Sequence, residues 1–216
     1  MTGIFLDFEW LRPKNQRGAK IIPESQLIVW DDVGATDNYR PLEKFPHIHI
    51  ILSKVETADD ALAFCNRFGP LKMEIEGDSI DLAPAPVEEV RRLAAACRGF
   101  MRSISSGNAE LAGISGFNVP ATLGIAKNRG GGLKVTAKLW SLGSAILFHM
   151  VTSHLEGSFW RECEYERCKK PFQAGPGSKP KRRADAHFCS EKCQSDQKNL
   201  DRSKSKTIKR SASNGS

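Results

Sequence analysis

A chain of 216 residues with 40% hydrophobic content can build one medium domain with an appendage, or two small domains. No stretch approaches the 18 apolar residues of a membrane helix, which argues against a membrane role. The net charge of +7 is uneven, with 15 Lys and Arg against 7 Asp and Glu from Arg161 onward and 17 against 18 in the first 160 residues. The last quarter therefore invites a polyanionic partner, nucleic acid before membrane.

The chain begins with Asp7 and Glu9 where a secretory leader would carry Lys or Arg, so a cytoplasmic protein with reduced thiols is expected. Phe5, Phe8 and Trp10 precede a basic turn at Arg12 to Lys14. Gln26 to Trp30 is a short β-branched run that reads as a strand, ended by Asp31 to Gly34. His47 to Ser53 fits a strand or the first turns of a helix. Thr57 predicts a helix cap, with Asp59 and Asp60 in the first turn. Ala61, Phe64, Cys65 and Phe68 form its apolar face, and Gly69-Pro70 stops it. Leu71 to Asp81 is consistent with one strand or a loop. A long helix is predicted from Val87 to about Ser105, where Val90, Leu93, Ala94, Cys97, Phe100, Met101 and Ile104 recur at helical spacing. Glu88, Arg91, Arg92, Arg98 and Arg102 mark its outer face.

Residues 106–133 are rich in Gly, Ser and Asn, which predicts loops and room for a hairpin, with Asn128 to Gly132 as the tip. A last body helix is expected from about Ala137 to Glu156, nearly encircled by Leu139, Trp140, Leu142, Ile146, Leu147, Met150, Val151 and Leu155. After Leu200 the chain is polar and basic, and residues 204–216 read as a disordered tail.

Between these lies the one stretch with metal-ligand spacing. Cys163-x4-Cys168 suits a tight turn, and Cys189-x3-Cys193 suits the start of a helix that Ser190 can cap. The helix end favours thiolate over thiol there. Four such thiolates in a reduced compartment predict a structural Zn²⁺ site, with a turn joined to a helix by a twenty-residue excursion, the ligand layout of treble-clef-like fingers. The excursion, with Gly175 to Pro180, can form a hairpin. His187 is a substitute ligand for which four cysteines leave no place. Lys169, Lys170, Arg182, Arg183 and Lys192 can offset the formal −2 of the tetrathiolate site.

The pattern Trp160-x2-Cys163-x4-Cys168-x3-Phe172, then Arg182-Arg183, then Phe188-Cys189-Ser190-x2-Cys193 resembles the C-terminal zinc finger of bacterial CGNR proteins. Ala61 to Leu71 is similar to a helix-then-Gly pattern in their N-terminal, ABATE-type parts. Where that family has its Cys-Gly-Asn-Arg tetrapeptide, this chain reads Cys193-Gln-Ser-Asp196. The resemblance implies a treble-clef-type finger, DNA binding and transcriptional regulation.

Charge gives the DNA-facing set its members: Lys169, Lys170, Lys179, Lys181, Arg182, Arg183, Lys198 and Arg202, the last two four apart on a helix and able to track phosphates. Catalytic patterns are weaker. His47 and His49 read as packing, and His149 and His154, five apart, do not share a helix face. Cys65 and Cys97 sit on apolar faces, and Gly130 to Gly132 lacks the ending of a phosphate loop.

The expected architecture is α+β: a mainly helical, ABATE-like body over residues 1–158, a four-cysteine zinc finger over 159–203, and the tail. The expected function is a cytoplasmic bacterial DNA-binding transcriptional regulator, its body a sensor or association domain. Two alternatives stay open: a protein-interaction protein or homo-oligomer whose finger is purely structural, and an enzyme with its site in the body.

Overall fold

The computed structural model describes residues 4–6, 8–13, 18–30, 36–76, 79–105, 121–127, 133–139, 141–178 and 180–213. In chain order, the first unit holds strands β1 (Ile4–Leu6), β2 (Trp10–Pro13), β3 (Ala19–Ile22), β4 (Leu27–Trp30) and β5 (Thr36–Tyr39), then helices α1 (Pro41–Lys44), α2 (Ile48–Ser53) and α3 (Ala58–Phe68). These are followed by β6 (Met73–Glu76), β7 (Ser79–Leu82), β8 (Ala85–Pro86), α4 (Val87–Ser105), β9 (Ala121–Lys127), β10 (Leu133–Leu139) and α5 (Leu142–Leu155). The second unit adds β11 (Phe159–Glu162), β12 (Pro171–Ala174) and α6 (Glu191–Ser213). The chain divides after Thr152, inside α5, into residues 1–152 and 153–216.

The first unit is mixed helix and sheet, not mainly helical: strands claim many segments that periodicity leaves open. β1 pairs parallel with β10, which pairs antiparallel with β9 from Leu133↔Lys127 to Leu139↔Ala121. β2 pairs with β5, β3-β4-β8 form a second three-stranded sheet, and β6 pairs with β7 as a hairpin where one strand or a loop is expected. The tip at residues 128–132 lies outside the described residues, as do residues 106–120.

α3 follows its caps. Thr57 Oγ1 accepts from the Asp60 N–H at 3.1 Å while the Asp60 carboxylate accepts from the Thr57 N–H at 3.0 Å, a reciprocal box that satisfies two orphan donors. The same hydrogen bonds hold the Asp60 carboxyl below the usual carboxylate range. Gly69, at φ +88°, ends the helix. His47 to Ser53 resolves as helix, with Ile48 and Leu52 fully buried one turn apart.

These helices enclose a core with Trp10, Ile28, Phe68, Val90, Leu142 and Ile146 at its centre. Polar anchors complete it: Trp10 donates Nε1–H to the Pro70 carbonyl (3.0 Å) and Tyr39 its hydroxyl to the Phe68 carbonyl (2.6 Å). The charged face of α4 is only partly outward. Arg98 donates to the carbonyls of Ser53 (2.7 Å) and Val55 (3.0 Å), and Arg91 to that of Glu56 (2.8 Å), satisfying the last carbonyl of α2 and two in the segment that follows it.

The start of the last body helix needs correction. α5 starts at Leu142, not Ala137: residues 137–139 complete β10 in register with Leu123 to Ala121, and Ser141 Oγ accepts from the Ser144 N–H (3.0 Å) at the helix start. The segment after Leu200 lies in α6 as far as Ser213, and residues 214–216 lie outside the described residues.

Candidate metal centre

Each cysteine is delivered by a local device. β11 and β12 pair antiparallel from Phe159↔Ala174 to Glu162↔Pro171, so Cys163 leaves one strand as Lys170 enters the other. The Cys163 N–H donates to the Lys170 carbonyl (3.0 Å), and the Cys168 N–H to the Tyr165 carbonyl (2.9 Å). Lys169 adopts φ +49°, an unusual conformation outside glycine, which turns the chain back after the second ligand. The knuckle thus sits at the tip of a hairpin. That hairpin uses one strand on each side of the first cysteine pair, in addition to the turn that the excursion itself forms. Within the excursion, a smaller turn is closed by an antiparallel bridge between Gly175 and Arg182.

The second pair stands at the head of α6. Ser190 Oγ accepts from the Cys193 N–H at 3.2 Å, capping the helix as its sequence position predicts. Two contacts tie this segment to the knuckle: the Glu164 N–H donates to the His187 carbonyl (3.0 Å), and the Glu164 carboxylate meets His187 Nδ1 at 2.7 Å. His187 therefore has a carboxylate partner for its ring.

The result is a convergence of four sulfurs, all within 4.8 Å of one another. Cys189 is its hub: its Sγ lies 3.6 Å from that of Cys168 and 3.5 Å from that of Cys193, and its N–H points to Cys163 Sγ at 3.4 Å. A tetrahedral ion with sulfurs at about 2.3 Å requires sulfur–sulfur edges of about 3.8 Å, so these separations suit one metal ion and not a disulfide. All six cysteines are free thiols.

The sulfurs differ in their electrostatics. The Lys170 N–H and the neighbouring sulfurs hold the Cys168 thiol below its ordinary value. Burial and the three sulfurs around it push Cys189 up to about 12. Thiolates crowded this closely would repel one another, and a bound cation would offset that repulsion. The donor set, four soft sulfurs and no carboxylate, is compatible with a metal site.

Among the described residues, the second unit has little other core around this centre. Cys163, Phe172 and Ala174 are buried, with Tyr165, Cys168, Ala186, Phe188, Cys189 and Cys193 packed against them. α6 is held against the knuckle by Gln197, whose side-chain carbonyl accepts from the Glu166 N–H (3.1 Å), and by Lys204, which donates to the Glu166 carboxylate and keeps its pKa low.

Of the basic residues predicted to face a polyanion, Lys169, Lys170, Lys181, Arg183, Lys198 and Arg202 are exposed on this unit. Arg183 pairs with Asp185 through two contacts of 3.0 and 2.9 Å at the surface. Lys198 and Arg202 share one side of α6, as their spacing predicts. Lys179 lies outside the described residues. Arg182 stands apart, half-buried, with its guanidinium turned to the Cys189 carbonyl. An open cleft of about 680 Å³, lined among others by Lys181, Arg183, His187 and Glu191, lies at the start of α6.

In the first unit, Cys65 and Cys97 are fully buried and burial pushes both thiols up to about 12, so neither ionises near neutrality. His149 Nε2 lies 3.2 Å from the Pro46 carbonyl, and His49 is buried. The cysteine quartet is the one group of three or more metal-ligand side chains brought together among the described residues. No family model, curated protein or solved structure matches the chain.

Proposed function

We propose that this is a DNA-binding protein, a bacterial transcriptional regulator, in which Zn²⁺ held by Cys163, Cys168, Cys189 and Cys193 folds a treble-clef finger. The order of knuckle, excursion and ligand-bearing helix supports that finger type. The observation that carries the DNA reading is the exposure of six cations (Lys169, Lys170, Lys181, Arg183, Lys198 and Arg202) on the unit the cysteines organise. Exposed ammonium and guanidinium groups neutralise phosphates and release counterions, giving affinity without base discrimination. Residues 1–152 serve as the sensor or association domain, and the protein acts in the cytoplasm.

If four to six phosphates are neutralised, log affinity for duplex DNA falls with log salt at a slope of about −4 to −5. Titrating zinc-loaded protein onto duplex DNA at several salt concentrations measures the slope, and a flat line sinks the proposal. Doubling Lys198→Ala with Arg202→Ala should reduce the slope by about 2 while the metal stays bound.

A second reading has its own observation. Arg182 turns its guanidinium to a backbone carbonyl within the unit and Lys204 pairs with Glu166 at the surface, as expected where a finger serves as a structural module that presents a surface to protein. Stoichiometric zinc with no DNA affinity at any salt concentration would favour it.

A further inference from the structure

We propose that Arg182 is a positioning residue of the metal centre, holding the Cys189 peptide so that its sulfur stays at the meeting point of the other three. The inference rests on the metal-binding reading above. It assigns to Arg182 a task other than nucleic-acid contact.

The geometry is specific to this side chain. Lys181 and Arg183 on either side are exposed, whereas Arg182 turns inward. Its Nη2–H donates to the Cys189 carbonyl at 2.9 Å, its Nη1–H reaches the Gln173 carbonyl at 3.4 Å, and the guanidinium lies 5.6 Å from the centre of the buried Phe172 ring. Its backbone is fixed as well: the Arg182 N–H donates to Ser178 Oγ at 2.7 Å, and Ser178 is 1% exposed. The residue therefore joins three parts of the unit: the excursion turn, the end of β12, and the segment entering α6.

Cys189 is where such a clamp matters most. Its N–H is occupied by Cys163 Sγ and its carbonyl by Arg182, so both polar atoms of its backbone are held. Its sulfur lies between those of Cys168 and Cys193. A peptide free to rotate at 189 would loosen three sulfur contacts together. Only a planar, forked cation can bond two carbonyls while lying over a ring; an ammonium supplies the charge but not that geometry. Partners that orient metal ligands commonly change metal affinity by 10–100-fold when removed.

The test compares full-length wild type with Arg182→Ala, Arg182→Lys and Arg183→Ala, all zinc-loaded, by following zinc release to a chromophoric chelator. Arg182→Ala and Arg182→Lys should both release zinc about 10- to 100-fold faster than wild type, and Arg183→Ala at the wild-type rate. The Co²⁺-substituted Arg182 variants should also show an altered ligand-field spectrum. If Arg182→Ala fails to fold, Arg182→Lys carries the comparison. A wild-type release rate in Arg182→Lys overturns the positioning role, because charge alone would then suffice. Wild-type protein that takes up no stoichiometric metal overturns the metal-binding reading itself.

Discussion

His49 is a histidine that folding forces to stay neutral. It is 3% exposed, and its Nδ1 has no hydrogen-bond partner. Burial first, then the positive charge that His149 and His47 would carry, push its pKa down to about 3. His47 is lowered too, by burial and by Arg67. The unfolded chain takes up a proton near 6.5 that folded His49 refuses until about 3, so acidification favours the unfolded state across that window. Stability from this group is intact above pH 6.5 and falls by about 2 kcal/mol on reaching pH 5. Urea titrations of wild type and His49→Gln at pH 7 and pH 5 measure it: the wild type should lose more stability than the variant between the two. Equal losses would mean the imidazole is not held neutral. Cys65 and Cys97 follow the same logic in the opposite direction, since burial keeps a thiol protonated.

Among the elements, the turn that follows β12 tolerates no side chain at Gly175. Gly175 has φ +97°, and a Cβ built there would lie 2.0 Å from the Gly157 carbonyl oxygen, backbone that no rotamer can move aside. Gly175→Ala should therefore cost the second unit about 2 kcal/mol or more, read as a lower urea midpoint for loss of the Co²⁺–thiolate absorption. An unchanged midpoint would show that the turn can open without consequence. The excursion's Gly-Pro-Gly run is legible in sequence as a turn; the close approach to Gly157 is not, because it depends on a residue eighteen positions away. The same distinction runs through the chain. α3 and α4 are legible because a capping box and a 3.6-residue apolar stripe are local signals. Both cysteine pairs and the Ser190 cap are legible for the same reason. The start of α5 is not, because Ala137 to Leu139 continue an apolar helical pattern but are claimed by pairing with β9. Nor is the length of α6: beyond Leu200 there is no apolar stripe, and the Lys204–Glu166 pair that ties it to the knuckle links residues 38 apart. Arg182 reads as one more surface cation until the Cys189 carbonyl is seen beneath it.

At the scale of the whole molecule, the two units differ in the apolar cluster that each buries. Residues 1–152 bury a continuous apolar cluster that includes Trp10, Ile28, Phe68, Val90 and Leu142. Among the described residues, 153–216 bury the small cluster of Cys163, Phe172 and Ala174, with six partly buried residues packed against it, little apolar surface for a unit of this length. If the quartet holds zinc as proposed, the ion contributes about 10–16 kcal/mol to the folding of the unit at neutral pH, because the site does not exist in the unfolded chain. Metal removal should then unfold the second unit and leave the first standing. Thiol reactivity separates the two directly, since Cys163, Cys168, Cys189 and Cys193 belong to one unit while the buried Cys65 and Cys97 belong to the other. With a strong chelator and a thiol reagent in native buffer, four of the six thiols should react, and the helical circular-dichroism signal should fall as α6 melts. In denaturant all six should react. Six fast thiols on chelation alone would mean the first unit depends on the metal as well. Four fast thiols with undiminished helicity would mean that α6 stands without the centre at its head.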